Sequence, residues 1–190
     1  IELPRFFFFL RDASGEFLKD FLGNDKLPQQ TELIAWEKLW LYDTQGMYDE
    51  PYELYFGVGK HTIRFSYTDG AVGIGGVTLG QKAAYKTYKE YLKSNSSNNS
   101  EKATEPIIIE AEKSSYKSSS NLYPQSDRTN ASTRPNLPGV TSLNFIGGAN
   151  WCNFGQFITY DIDVPQSGWY TISLKARQNV NQGMNSYREL

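Results

Sequence analysis

Two groups of residues in this chain have the types and spacing to do chemistry. The first is Glu110 and Glu112, in the run Ile107-Ile108-Ile109-Glu110-Ala111-Glu112. The apolar lead predicts a strand, and residues two apart on a strand share a face. Two neighbouring carboxylates repel each other unless something positive lies between them. A hard cation such as calcium, which takes carboxylate and carbonyl oxygens, meets that need. A solvated edge strand with Lys or Arg nearby meets it too, and the spacing leaves both readings open. The second group is the loop Gly147-Gly148-Ala149-Asn150-Trp151-Cys152-Asn153-Phe154-Gly155-Gln156. It lacks the Walker spacing and precedes no predicted helix, so it is not a phosphate cradle. Trp151 with Asn150 and Asn153 has the composition of a sugar site. The indole face stacks on the apolar face of a pyranose, and the amides both donate and accept hydrogen bonds. Equally, Trp151 is large enough to cap the open end of a core. Tyr123, Asn121 and Asp127 lie in the long polar stretch from Ser114 to Pro138 and offer a second wall, against ordinary loop packing.

Other chemistries find little support. His61 alternates in phase with Ile63 and Phe65, which predicts an inward side chain or a strand end. No nucleophile is marked beside it for a Ser–His–carboxylate site. Cys152, the single cysteine, excludes an internal disulfide and a cysteine-rich metal site, and beside Trp151 it reads as a small buried hydrophobe rather than a nucleophile. Acidic pairs lie in loops or on solvated faces, with no evident cleft for glycoside hydrolysis. A formal net charge of -2 gives no electrostatic footprint for nucleic acid. The run Phe6-Phe7-Phe8-Phe9-Leu10 is too short to span a bilayer and predicts a buried strand. Trp169 opens a strand at the core or its rim, and Trp36 and Trp40 form one patch if their segment is helical. The non-enzymatic reading is therefore the expected one.

The elements that must position these residues are mostly strands. His61, Ile63, Phe65 and Tyr67 alternate with Thr62, Arg64, Ser66 and Thr68 up to the turn at Asp69-Gly70. The predicted return strand runs from Ala71 to Leu79, where Gly73, Gly75 and Gly76 imply a bulge or a close backbone approach. Ile158 to Val164 and Tyr170 to Arg177 alternate in the same way about the turn Pro165-Gln166-Ser167-Gly168. Between the two sets, Ala84, Tyr88, Tyr91 and Leu92 make a stripe at helical spacing and predict a helix over 81–93. The run Ser94-Asn95-Ser96-Ser97-Asn98-Asn99-Ser100 has the composition of a linker. The expected organisation is thus 1–80, a helix and linker over 81–105, and 106–190. The fold class expected is an all-β sandwich or jelly roll with one short linker helix.

Ile109-Glu110-Ala111-Glu112, then Gly147-Gly148-Ala149-Asn150-Trp151, Gly155-Gln156-Phe157-Ile158-Thr159-Tyr160, Val164-Pro165-Gln166-Ser167-Gly168-Trp169-Tyr170 and Ala176-Arg177-Gln178 together resemble the opening half of a carbohydrate-binding module of the family 6 and 35 kind. These are galactose-binding-like jelly rolls. The resemblance is closer still to modules attached to extracellular solute-binding proteins of sugar transport in Gram-positive bacteria. Pro51 to Phe56, Gly59 to Phe65 and Val72 to Leu79 resemble the closing half of a similar module. The resemblance implies a non-catalytic, extracellular or cell-surface module for carbohydrate binding, without membrane insertion. It places Glu110 and Glu112 among the ligands of a structural calcium ion, with Asp69 a poor but conceivable third ligand. It places Trp151 and its loop near where some members bind sugar. A structural or protein-interaction domain without a sugar site is the alternative. Each half alone leaves apolar faces uncovered, so the halves are expected to pair within one chain or to exchange between two chains as a homodimer.

Overall fold

The computed structural model describes residues 5–12, 14–34, 36, 38–43, 45–48, 50–96, 105–178 and 185–187. Among the described residues its named strands pair antiparallel and form two sheets. The larger has the order β2-β1-β3-β6, with β1 Phe6–Phe9, β2 Gln30–Leu33, β3 Tyr116–Lys117 and β6 Ile158–Thr159. The smaller pairs β4 Pro124–Gln125 with β5 Phe145–Ile146.

The aromatic run becomes β1 because alternate rings face a common interior. Phe7 and Phe9 are buried, while Phe6 and Phe8 are half-buried. Phe6 is not idle on its side, since its ring meets those of Tyr116 and Phe157. The buried apolar residues come from both ends of the described chain: Phe7, Phe9 and Phe17 from the first part, Leu122 and Leu143 from the last. Each large apolar side chain so buried contributes roughly 1.5–3 kcal/mol.

Side-chain-capped turns fasten these parts together. Asp20 Oδ1 accepts the N–H groups of Leu22 and Asn24, which shapes the turn at Gly23. Asn24 and Asp25 then reach across the molecule. Asn24 Oδ1 accepts from the Thr141 N–H, Asp25 Oδ2 from the Leu143 N–H, and the Asp25 N–H donates to the Thr141 carbonyl. β1 meets β3 at Phe7 and Lys117, so the first segment completes a sheet with the last.

Several expected elements are shorter or different. The strand expected at Ile107 to Glu112 is extended only as far as Glu110 and then tightens into a 3-10 turn at Ala111–Lys113. The Lys113 N–H donates to the Glu110 carbonyl, and a turn of this kind carries Glu110 and Glu112 to different surroundings. No strand occurs among the described residues 50–86, where the chain runs without a backbone ladder and its alternating apolar residues stay exposed. Local features there survive: Gly70 has φ +74° and its N–H is accepted by Asp69 Oδ1. His61 is exposed, with Nε2 at 2.9 Å from the Gly57 carbonyl and its ring at the edge of Phe56, so it does not point inward. The close backbone approach expected of the glycines is made by Trp36, whose exposed ring lies against Gly73 and Gly75.

The helix, α1, is Tyr88–Ser94 rather than 81–93. A capping box sets its start: the Thr87 side chain accepts the Glu90 N–H, and the Glu90 carboxylate accepts the Thr87 N–H. The hydrogen bonds of Thr87 leave residues before it outside the helix. No residue of α1 is buried, and Tyr91 meets Trp169 edge to face at 6.3 Å. Of the polar linker, 97–104 lies outside the described residues.

Candidate functional site

Three arrangements gather the chemically capable side chains. The first centres on Glu112. It is buried to 1% exposure, and its Oε2 has no hydrogen-bond partner among the described residues. Burial, reinforced by the charges of Glu110 and Asp25, pushes its carboxyl up to about 7, against the pull of its own N–H and of Lys113. Glu110 and Glu112 therefore do sense each other. The third carboxylate whose charge bears on Glu112 is Asp25. Its side chain is almost fully buried, with Oδ1 2.6 Å from Lys19 Nζ. Asp69, by contrast, stands in its own exposed turn.

Arg11 comes to the same place from the other end of the chain and donates to the Ser114 carbonyl. Burial lowers its pKa, while Glu112 and Glu16 pull it back up. Arg11 Nε and Ser114 Oγ are likewise buried without a hydrogen-bond partner among the described residues. Lys113 pairs with Glu16, and the Tyr160 hydroxyl donates to the Ala111 carbonyl at 2.9 Å. Burial and the charge of Glu112 push that phenol up to about 12. Glu112 thus offers one unshared buried oxygen, as a cation ligand would. No three His, Cys, Asp or Glu side chains among the described residues converge closely enough to hold an ion by themselves.

The second arrangement is the loop 147–156, which Gln156 holds in shape. Gln156 Oε1 accepts the N–H groups of Cys152 and Asn153, and its Nε2 donates to Asn121 Oδ1. The Trp151 indole N–H donates to the Gln156 carbonyl at 3.0 Å. One edge of the indole lies against Gly147, where φ is +103° and a Cβ would come within 3.1 Å of the ring. Trp151 is half-buried, Asn150 and Asn153 are exposed, and Cys152 is exposed too rather than the buried hydrophobe expected. The structure therefore brings Trp151, Asn150 and Asn153 together on one loop. Gln156, which organises it, has no signal in its sequence surroundings.

Tyr123 and Asp127 serve elsewhere. The Tyr123 ring packs on Phe9, with centroids 5.6 Å apart. It also forms one wall of the third arrangement, a cage around Lys117. The Lys117 ammonium lies 4.6 Å from the Phe9 centroid, 4.9 Å from Tyr123 and 5.4 Å from Phe7. It donates to Gln30 Oε1 at 2.6 Å and to the Ser119 carbonyl at 2.9 Å. Lys117 has no exposed surface, and burial lowers its pKa to about 8. Three aromatic faces and oxygen acceptors are what a buried ammonium requires. Asp127 accepts from the N–H and hydroxyl of Thr129 and pairs with Arg177 at 2.7 Å, while its N–H donates to Asn144 Oδ1. These bonds hold its carboxylate well below the usual range and commit it to the fold.

Compared with family models, with curated proteins and with solved structures, the chain finds no match.

Proposed function

We propose that this chain is a non-catalytic, extracellular or cell-surface carbohydrate-binding module, of the galactose-binding-like jelly-roll kind, in a sugar-uptake or polysaccharide-utilisation protein. The observation that carries this reading is the loop at 147–156. Gln156 fixes its backbone, the indole N–H of Trp151 is tied down, and Asn150 and Asn153 are exposed on the same loop. A held aromatic side chain with exposed amides on the same loop suits a pyranose, by stacking and hydrogen bonds with little ordering cost on association. The antiparallel β architecture is compatible with a sandwich. Tyr123 contributes at most its hydroxyl edge, because its ring is engaged with Phe9 and Lys117.

In this reading a structural calcium ion is held by Glu112, through its unshared Oε2, with Glu110 as the second carboxylate. The ion would neutralise two carboxylates and stiffen the turn at Ala111–Lys113. Arg11 opposes it, since its guanidinium already brings positive charge toward Glu112.

A second reading, a structural or protein-interaction domain without a sugar site, draws on the apolar side chains left at the surface. Ile63, Phe65, Val72, Ile162, Ile172 and Leu174 are all exposed. Such a surface suits exchange of half-modules between two copies of the chain. A glycan-array screen, run with and without a chelator, separates the readings. Binding of a defined glycan class, lost in W151A, supports the module; no binding in either condition leaves the structural domain.

A further inference from the structure

The chain closes a small loop around Tyr52 that the sequence does not single out. The Tyr52 N–H donates to the Leu41 carbonyl at 2.8 Å, which brings the two ends of the loop together. Asp43 organises the interior. Its Oδ1 accepts the Gln45 N–H and its Oδ2 the Met47 N–H at 2.8 Å, and the Tyr52 phenol lies near enough for the two groups to shift each other's pKa. These bonds keep the Asp43 carboxyl below its usual range. The Tyr48 and Tyr52 rings are held 6.4 Å apart and inclined by 59°. Both remain largely in water, at 65% and 48% exposure.

Beside them lies an open surface depression of about 450 Å³, lined by Met47, Tyr48, Glu50, Pro51, Tyr52 and Glu53. Glu50 is braced by Lys82 at 3.4 Å, and Lys82 is itself steadied over the rings of Tyr42 and Tyr85. The turn leading into this depression rests on the other candidate loop. Gly46, at φ +69°, lies so close to Phe154 that a Cβ there would fall 2.9 Å from its Cδ2. Phe154 belongs to the loop that carries Trp151.

We infer that the open Tyr48–Tyr52 surface is a second binding subsite for neutral pyranosides of a polysaccharide, joined to the Trp151 loop through the Gly46–Phe154 contact. The inference rests on the carbohydrate-binding reading above. Two inclined tyrosine faces in water match the apolar faces of pyranose rings. The carboxylates of Glu50 and Glu53 accept hydrogen bonds from sugar hydroxyls, which donate. Lys82 offsets one of these charges, and the other repels uronates and sulfated sugars. Asp43 and Lys82 hold the wall before ligand arrives, so little freedom is lost on binding.

The test is affinity electrophoresis of the full chain through gels containing xylan, galactan, glucomannan or polygalacturonate. Wild type, Y48A/Y52A, G46A and W151A are compared, with circular dichroism as the check on folding. The expected result is retardation of wild type by at least one neutral polysaccharide and none by polygalacturonate. Y48A/Y52A then weakens binding at least tenfold, and G46A several-fold, although G46A leaves both rings in place. If Y48A/Y52A is retarded like wild type while W151A is not, the subsite is overturned and the module reading stands. Retardation by polygalacturonate alone also overturns the subsite. A wild type retarded by none of the four overturns the module reading, and the subsite with it.

Discussion

At the scale of single residues, the two buried charges answer to the same physics in opposite ways. Lys117 has no exposed surface, yet aromatic faces and carbonyl oxygens surround its ammonium. Its folded pKa is lowered to about 8, whereas an unfolded lysine titrates near ~10.4. Between those values the unfolded chain holds more protons than the folded one, so stability rises with pH across that window. Urea-unfolding midpoints of wild type should gain on those of K117M from pH 8 to about 10, by on the order of 1–3 kcal/mol. Equal slopes would show that the cage leaves the lysine unperturbed. Glu112 instead lacks a partner for Oε2. If calcium supplies one, millimolar calcium should raise the melting temperature of wild type by several degrees, as an ion that binds only the folded state does. E112Q should abolish that rise, and a wild-type melting curve indifferent to calcium and chelator removes the ion from the account. Neither environment was legible in the sequence. Lys117 sits in a polar stretch, and the charge that Arg11 and Asp25 bring to bear on Glu112 depends on how distant segments pack.

At the scale of elements, local chemistry sets the helix start and the turns. The capping box of α1 joins residues three apart, and the turns at Gly23 and Gly70 are closed by Asp side chains within a few residues of the groups they bind. Replacing Thr87 by Ala should cost about 1 kcal/mol of helix stability. Because α1 buries no residue, the loss should appear in amide exchange of 88–94 while the global unfolding midpoint stays put. β1 is the opposite case. Phe7 is buried, pairs with Lys117 across the sheet, and walls the lysine cage. F7A should therefore cost about 3–5 kcal/mol in denaturant titrations. A loss under 1 kcal/mol would mean that β1 is peripheral. The alternation at 61–68 and 170–177 predicted strands, but period two records only which side chains can share a face. A strand also needs a partner at its edge, and none pairs with these segments among the described residues.

At the scale of the molecule, the division between buried and exposed apolar residues is uneven. Rings from residues 6–17 share a core with Leu122 and Leu143, while Phe65, Ile74, Val77, Ile172 and Leu174 face water. An exchange of half-modules would cover that surface. Size-exclusion chromatography with light scattering should then report twice the 21.6 kDa chain mass at high concentration. A strict monomer at every concentration sinks the exchange. The sequence by itself determined the turn at Asp69-Gly70, the apolar character of β1 and the makeup of the Trp151 loop. Each depends on backbone torsions and hydrogen bonds among residues a few positions apart. Only the tertiary structure decided that β1 pairs with β3, that Lys117 is caged, that Asp25 binds the backbone at Thr141 and Leu143 and that Gly46 rests on Phe154. Those contacts join residues far apart in the chain. They form only where shared burial outweighs the entropy of closing the loops between them.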